Sequence, residues 1–137
     1  MNEEKLKLLK FAADARKLSY CPYSKKSVGA ALLSRNGKIY LGANIENASF
    51  GATNCAERVA MQNAIIAGER EFSAIAVEGG DAGLAPEGFF APCGICRQAL
   101  SEFCGRDFKI YLSGKEGETR EFTLGELLPE AFSLSED

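Results

Sequence analysis

Three thiols and one carboxylate constrain this chain more than any other feature. They sit in two short elements, Cys55-Ala56-Glu57-Arg58 and Pro92-Cys93-Gly94-Ile95-Cys96-Arg97. The chain has no histidine, so a transition-metal site must rest mainly on cysteine. Cys93 and Cys96 have the C-x-x-C spacing with which two thiolates grip one zinc ion. Cys55 is the candidate third ligand. Three protein ligands leave tetrahedral zinc an open position, which a catalytic site needs. Glu57, two residues from Cys55, is close enough to serve a water there.

Two simpler readings compete. A structural zinc takes four protein ligands, and the fourth would be Cys21 or Cys104. A thiol redox pair needs only Cys93 and Cys96, with a low thiol pKa and no metal. The Cys-Ala-Glu element weighs against both. Followed by Pro-Cys-x-x-Cys, it is similar to the H-x-E and P-C-x-x-C signature of zinc deaminases, which admits three cysteines as ligands.

A chain of 137 residues is expected to form one domain spanning 1–137. Hydrophobic residues at 46% and charged residues at 26% fit a water-soluble globular protein rather than a disordered or membrane one. The net charge is −3 and no basic run occurs, which disfavours long DNA or RNA and favours a small, nearly neutral substrate. No secretory leader or membrane-spanning apolar run is read in the sequence. Five cysteines, an odd number without an export signal, point to the reducing cytoplasm and to metal-bound thiolates.

The periodicity predicts a helix over 3–18 with Leu6, Leu9 and Ala13 on one face. Strands follow at 28–34 and 38–43, joined by Arg35-Asn36-Gly37, a strong hairpin signal. Gly29-Ala30-Ala31 serves either tight helix packing or a low floor for a flat ligand. A helix over 54–67 is apolar nearly all round, which predicts burial against the sheet and another subunit. A strand at 72–78, a helix over 93–103, strands at 108–112 and 118–122, and a short helix over 123–128 complete the chain. Alternating strands and helices predict right-handed crossovers and parallel pairs. The expected fold is a three-layer α/β/α sandwich with a mixed five-strand sheet.

Zinc bound by three thiolates carries net negative charge, which helix N-termini offset. Arg58 and Arg97, each just after a ligand element, are candidates to compensate the thiolates by hydrogen bonding to sulfur. Glu57 can shuttle protons during hydrolytic loss of an exocyclic amine from a heteroaromatic ring. Asn44 and Glu46 share one side of an extended segment, where an amide and a carboxylate suit a diol.

Together with Asn44-Ile45-Glu46-Asn47-Ala48 and Leu127-Leu128-Pro129-Glu130-Ala131-Phe132, these elements make nearly the whole chain resemble the homotetrameric zinc-dependent cytidine deaminases. The resemblance implies zinc on Cys55, Cys93 and Cys96 and Glu57 as the acid and base. It implies that Asn44 and Glu46 hold ribose hydroxyls and that the backbone around Ala56 reads the base. Phe132 would reach a neighbouring subunit's site. Phe50 stands where many relatives have tyrosine. Lys26 stands where relatives usually carry a phenylalanine that packs on the base, and its stem lacks a π-face. The implied function is deamination of cytidine and deoxycytidine to uridine and deoxyuridine with release of ammonia, in pyrimidine salvage. Deamination of another heterocycle, such as a blasticidin-like nucleoside antibiotic, is the alternative. A structural zinc module and a thiol redox protein are the readings outside that class.

Overall fold

The N-terminal amphipathic stretch forms α1 (Glu3–Arg16). This computed structural model describes residues 2–134. The Asn2 side chain caps α1 by accepting the Glu4 N–H at 2.9 Å, and Glu3 and Glu4 sit in the first turn, where the helix dipole favours anions. The helix ends two residues before Leu18, which is exposed.

The predicted hairpin is β1 (Lys26–Ser34) and β2 (Ile39–Ala43). The remaining elements are α2 (Ala56–Ile66), β3 (Phe72–Asp81), α3 (Gly94–Ser101), β4 (Lys109–Ser113), β5 (Thr119–Thr123) and α4 (Leu124–Leu127). Each lies within a few residues of its expected place. At the end of α2, Gly68 adopts φ 102°. It lets the Gly68 and Glu69 amides turn back to the carbonyls of Ile65 and Ala64, a helix stop that disfavours a Cβ.

The sheet order is β2-β1-β3-β4-β5. Only β3 and β4 pair in parallel; β1 runs antiparallel to both β2 and β3, and β5 to β4. The sheet is mixed as expected, and its parallel pairing is confined to this one pair. The cause is the hairpin: its first strand, β1, occupies the place beside β3, so the crossover through α2 passes over it.

Helices cover both faces. On one, Leu8, Leu9 and Ala12 of α1 pack on Ala31, Ala74, Ala76 and Tyr111. On the other, Ala56, Ala60, Met61 and Ala64 of α2 and Leu100 of α3 pack on Ala30, Leu32, Ile75, Val77, Ile110 and Leu112. The small residues of β1 serve this packing rather than a ligand floor. A Cβ on Gly29 would lie 2.0 Å from the Ala12 carbonyl oxygen, so α1 sits directly on the strand. Along β1, Val28, Ala30 and Leu32 face α2 and α3, and Ser27 and Gly29 face α1. Ile66, at the end of α2, is 89% exposed, so α2 is not buried all round within one chain. No helix among the described residues is long and apolar enough to cross a membrane.

Candidate active site and metal centre

Cys55 is the N-cap of α2 and Cys93 the N-cap of α3. Neither thiol accepts a capping hydrogen bond from its helix. The two helix N-termini meet over the same face of the sheet, and the Sγ atoms of Cys55, Cys93 and Cys96 all lie within 4.8 Å of one another. Cys55 and Cys93 sulfurs are 3.9 Å apart and those of Cys93 and Cys96 are 3.6 Å apart. Zn–S bonds of about 2.3 Å in a tetrahedron require sulfurs about 3.8 Å apart. The triad fits a zinc ion, and the same spacing is far too wide for a disulfide. Cys21 and Cys104 lie outside the cluster. Burial pushes the Cys104 thiol up to about 12, as expected of a thiol that packs against the core.

The electrostatics favour a cation at the centre. Cys55 is held down to about 5, first by a hydrogen bond from the Cys96 thiol and further by Arg58 and Cys93. Cys96 is pushed far above the usual thiol range, because it holds the proton shared with Cys55 in a buried setting. Thiols this close cannot all ionise unless a metal ion binds them. Arg58 donates from Nη2 to Cys55 Sγ at 3.5 Å and to the Thr53 carbonyl at 3.3 Å. Its Nε is buried without a hydrogen-bond partner among the described residues. Arg97 is arranged differently from the sequence expectation. Its Nε donates to the Pro92 carbonyl at 2.6 Å and its Nη1 to the Leu127 carbonyl at 2.8 Å. The side chain turns away from the sulfurs because α4 offers an unsatisfied helix-end carbonyl, so Arg97 braces the metal loop rather than bonding sulfur.

Glu57, in the first turn of α2, is 4% exposed. Burial pushes its carboxyl up to about 7, with the neighbouring Cys55 adding to the rise and its own backbone amide, Arg58 and the Cys96 thiol opposing it.

Asn44 and Glu46 are tied in beside this centre by a short ladder. Ile45 and Asn54 exchange backbone hydrogen bonds at 2.9 Å, and Tyr20 pairs with Asn44 and Glu46 on the other side. Both side chains face one cavity, as the alternation predicts. Both are also already engaged. Asn44 Oδ1 accepts the Val28 N–H at 2.8 Å and its Nδ2 donates to the Lys26 carbonyl at 2.8 Å. Glu46 accepts the Tyr23 and Ser24 amides and the Ser24 hydroxyl. Led by that hydroxyl, these bonds hold its carboxyl below the usual carboxylate range. The amide and carboxylate are therefore fixed in place, with lone pairs and one N–H still to offer a ligand.

The cavity they line holds about 240 Å³ and is also walled by Val28, Thr53, Cys55, Ala56, Glu57, Phe90, Ala91 and Cys93. A second cavity of about 370 Å³ shares Glu46 and Thr53 with it. There Phe50 meets Tyr23 edge-on, ring centroids 6.4 Å apart. The two form one cleft with the thiols at its inner end. Phe132 does not line it; its carbonyl accepts from Gln98 Nε2 at 3.0 Å and its side chain is exposed. Val28, Thr53 and Phe90 are cavity residues that the sequence reading missed. Phe90 carried a signal, the second of two adjacent aromatic residues just before the metal loop in a stretch rich in Gly, Ala and Pro.

Residues 2–112 match the family model described as "Cytidine and deoxycytidylate deaminase zinc-binding region". The chain belongs to this deaminase family. It is 47% identical over 129 residues to cytidine deaminase of Halalkalibacterium halodurans, covering 94% of each chain. It is 46% identical over 127 residues to that of Sporosarcina psychrophila, covering 93% of this chain and 90% of the relative. The crystal structure of cytidine deaminase from Burkholderia pseudomallei superposes with a TM-score of 0.85 at 42% identity, covering 96% of this chain and 100% of that one. The α/β sandwich is thus the cytidine deaminase fold. The matched zinc-binding region contains the three-cysteine cluster, which is able to hold one metal ion.

Proposed function

We propose that this chain deaminates cytidine and deoxycytidine hydrolytically, giving uridine, deoxyuridine and ammonia. The observation that carries the reading is a buried carboxyl, Glu57, set beside a three-thiol metal site in a cavity that Asn44 and Glu46 also line. Cys55, Cys93 and Cys96 would hold the zinc ion. When bound, zinc supplies Lewis acidity and makes water a nucleophile at neutral pH. Glu57 takes the proton from the attacking water, delivers it to the ring nitrogen, and passes the water's second proton to the departing amine. A C–O bond forms at the carbon that loses its C–N bond. Arg58 offsets thiolate charge at Cys55. The walls formed by Val28 and Phe90 exclude water from the base, and the backbone at Ala56 reads its edge. Asn44 and Glu46 hold the ribose hydroxyls, and Phe50 shields the outer end of the cleft.

The active assembly in this reading is a homotetramer with shared sites. The exposed Phe132 and the exposed end of α2 support it, since each leaves an apolar side chain for a neighbour to cover. A site of three reduced thiolates suits the reducing cytoplasm.

Ammonia release from cytidine, deoxycytidine and cytosine, measured with zinc content on the same preparation, tests the function. Nucleosides should exceed the free base by at least ~10²-fold, because fixed polar groups go unpaired when the sugar is missing. Equal turnover of cytosine would remove the ribose assignment. No turnover of any of the three by zinc-loaded protein would remove the function.

A further inference from the structure

We propose that Phe90 is the aromatic wall of the base subsite and a specificity-determining residue for the reaction. The proposal rests on the deaminase reading above. Among the residues lining the inner cavity, Phe90 supplies the one aromatic ring. It stands three residues before Cys93, so the chain that carries the ring also carries two of the three thiols.

The ring has a seat made for it. A Cβ on Gly79 would lie 2.5 Å from Phe90 Cδ2 and 2.6 Å from Cγ. The ring therefore rests on bare β3 backbone, at a height no other residue at position 79 would allow. Gly79 pairs in register with Val28, itself a cavity residue. The Val28 amide donates to Asn44 Oδ1. An apolar surface thus runs from Phe90 across Val28 to the polar Asn44, matching a flat heterocycle joined to a polar sugar.

The neighbouring residue anchors the segment. Phe89 packs where a Cβ on Gly114 would lie, 3.0 Å from its ring. The Arg120 guanidinium sits 4.1 Å from the ring centroid of Phe89. With Phe89 held in this way, Phe90 is presented to the cavity and remains half-buried. No competing ring arrives from β1. Lys26 projects on the same face as Val28, but its ammonium pairs with Asp81 across the strands and the residue lines neither part of the cleft.

Base–aromatic contacts removed by substitution typically weaken binding by roughly ten- to a hundredfold. Phe90→Leu should raise KM for cytidine by about that factor, with kcat changed much less and with zinc content and melting temperature retained. Phe90→Tyr, which keeps the ring, should leave KM within about twofold. Gly79→Ala, which lifts the ring from its seat without touching the cavity wall chemically, should raise KM in the same direction. Lys26→Ala should leave it unchanged. Equal KM for the leucine and tyrosine variants, both zinc-loaded, would overturn the proposal. Wild-type protein without deaminase activity would instead remove the reading beneath it, so the two failures are distinguishable.

Discussion

Two acids, the buried Glu57 and the half-buried Glu78, sit on opposite faces of the sheet in contrasting surroundings. Glu78 faces α1, where Arg16 Nη1 donates to it at 3.3 Å and the Ser113 hydroxyl at 3.0 Å. Arg16 is in turn held by the Ser27 carbonyl and hydroxyl and by the Asp81 carbonyl. Glu57 faces α3 and forms no ion pair among the described residues. Its surroundings are thiols, its own backbone amide and the Arg58 charge. One carboxylate is fully compensated and silent. The other is left with proton affinity raised by burial at the end of a cavity. A buried charge with partners marks structure, and one short of partners marks chemistry.

The largest effect should separate the two acids by what each loses. Glu57→Gln keeps size and one acceptor but cannot carry protons. Turnover should fall by ~10⁴-fold, the upper end for a general acid–base group, with zinc and melting temperature retained. Glu78→Gln should leave turnover per folded molecule within about twofold, since Glu78 lies under α1 on the other face of the sheet and makes no transition-state contact. Zinc lost from the Glu57 variant would make it a ligand, and near-native turnover would refute the shuttle.

Next in size is the stability of the silent pair. Arg16→Met leaves the half-buried Glu78 with the Ser113 hydroxyl but no cation, which should cost ~1–3 kcal/mol, less than for a fully buried pair. The Arg16→Met/Glu78→Gln double variant should recover much of that loss. Urea denaturation of the four proteins measures the coupling. Additive losses would show that the pair carries no special energy.

The two faces were also unequally legible in the sequence. The thiol triad and the placement of Glu57 beside it were readable because metal chemistry restricts residue type and spacing, and histidine was absent. The element boundaries followed from Asn36-Gly37, Gly68 and Pro92. The position of β1 between β2 and β3 was not readable, because a hairpin signal specifies which strands pair but not which edge the next strand joins. Arg97 was misassigned to the sulfurs because its true acceptor, the Leu127 carbonyl, lies 30 residues away. Phe90 was missed as a cavity residue because its placement depends on the bare backbone of Gly79, a contact with no local pattern. The Arg16–Glu78 pair was equally hidden: it spans 62 residues and neither partner stands in a motif.

Tyr111 gives the structural face a pH signature of its own. It is buried against α1, and its hydroxyl donates to Glu4 Oε2 at 3.0 Å. Burial, aided by that bond, pushes its pKa up to about 12. The folded state therefore keeps the proton after the unfolded chain has begun to lose it near pH 10. Stability is unaffected below that point and falls as pH rises from about 10 toward 12, by ~1 kcal/mol near pH 11. Tyr111→Phe should abolish this slope. Equal alkaline slopes in both proteins would assign the loss to other groups.

The smallest effect tests whether the catalytic face also contains purely structural parts. Thr123 caps α4 by accepting the Glu126 N–H at 3.2 Å, while Glu126 Oε1 accepts the Thr123 N–H at 2.8 Å. Removing such a cap costs ~1 kcal/mol. α4 presents the Leu127 carbonyl that receives Arg97, and Arg97 also holds Pro92 at the start of the metal loop. Loosening α4 therefore reaches the thiols only through one brace. Thr123→Ala should lower stability by that amount at neutral pH and leave turnover nearly unchanged. Glu126 has its carboxyl held below the usual range, first by the Thr123 backbone amide. Its contribution is present above the unfolded carboxylate pKa and disappears as pH falls through the depressed folded value. The gap between wild type and Thr123→Ala should narrow over the same acid range, because the reciprocal bond is lost in both. A turnover loss comparable to that of Glu57→Gln would place α4 within the catalytic machinery and erase the division between the two kinds of buried group.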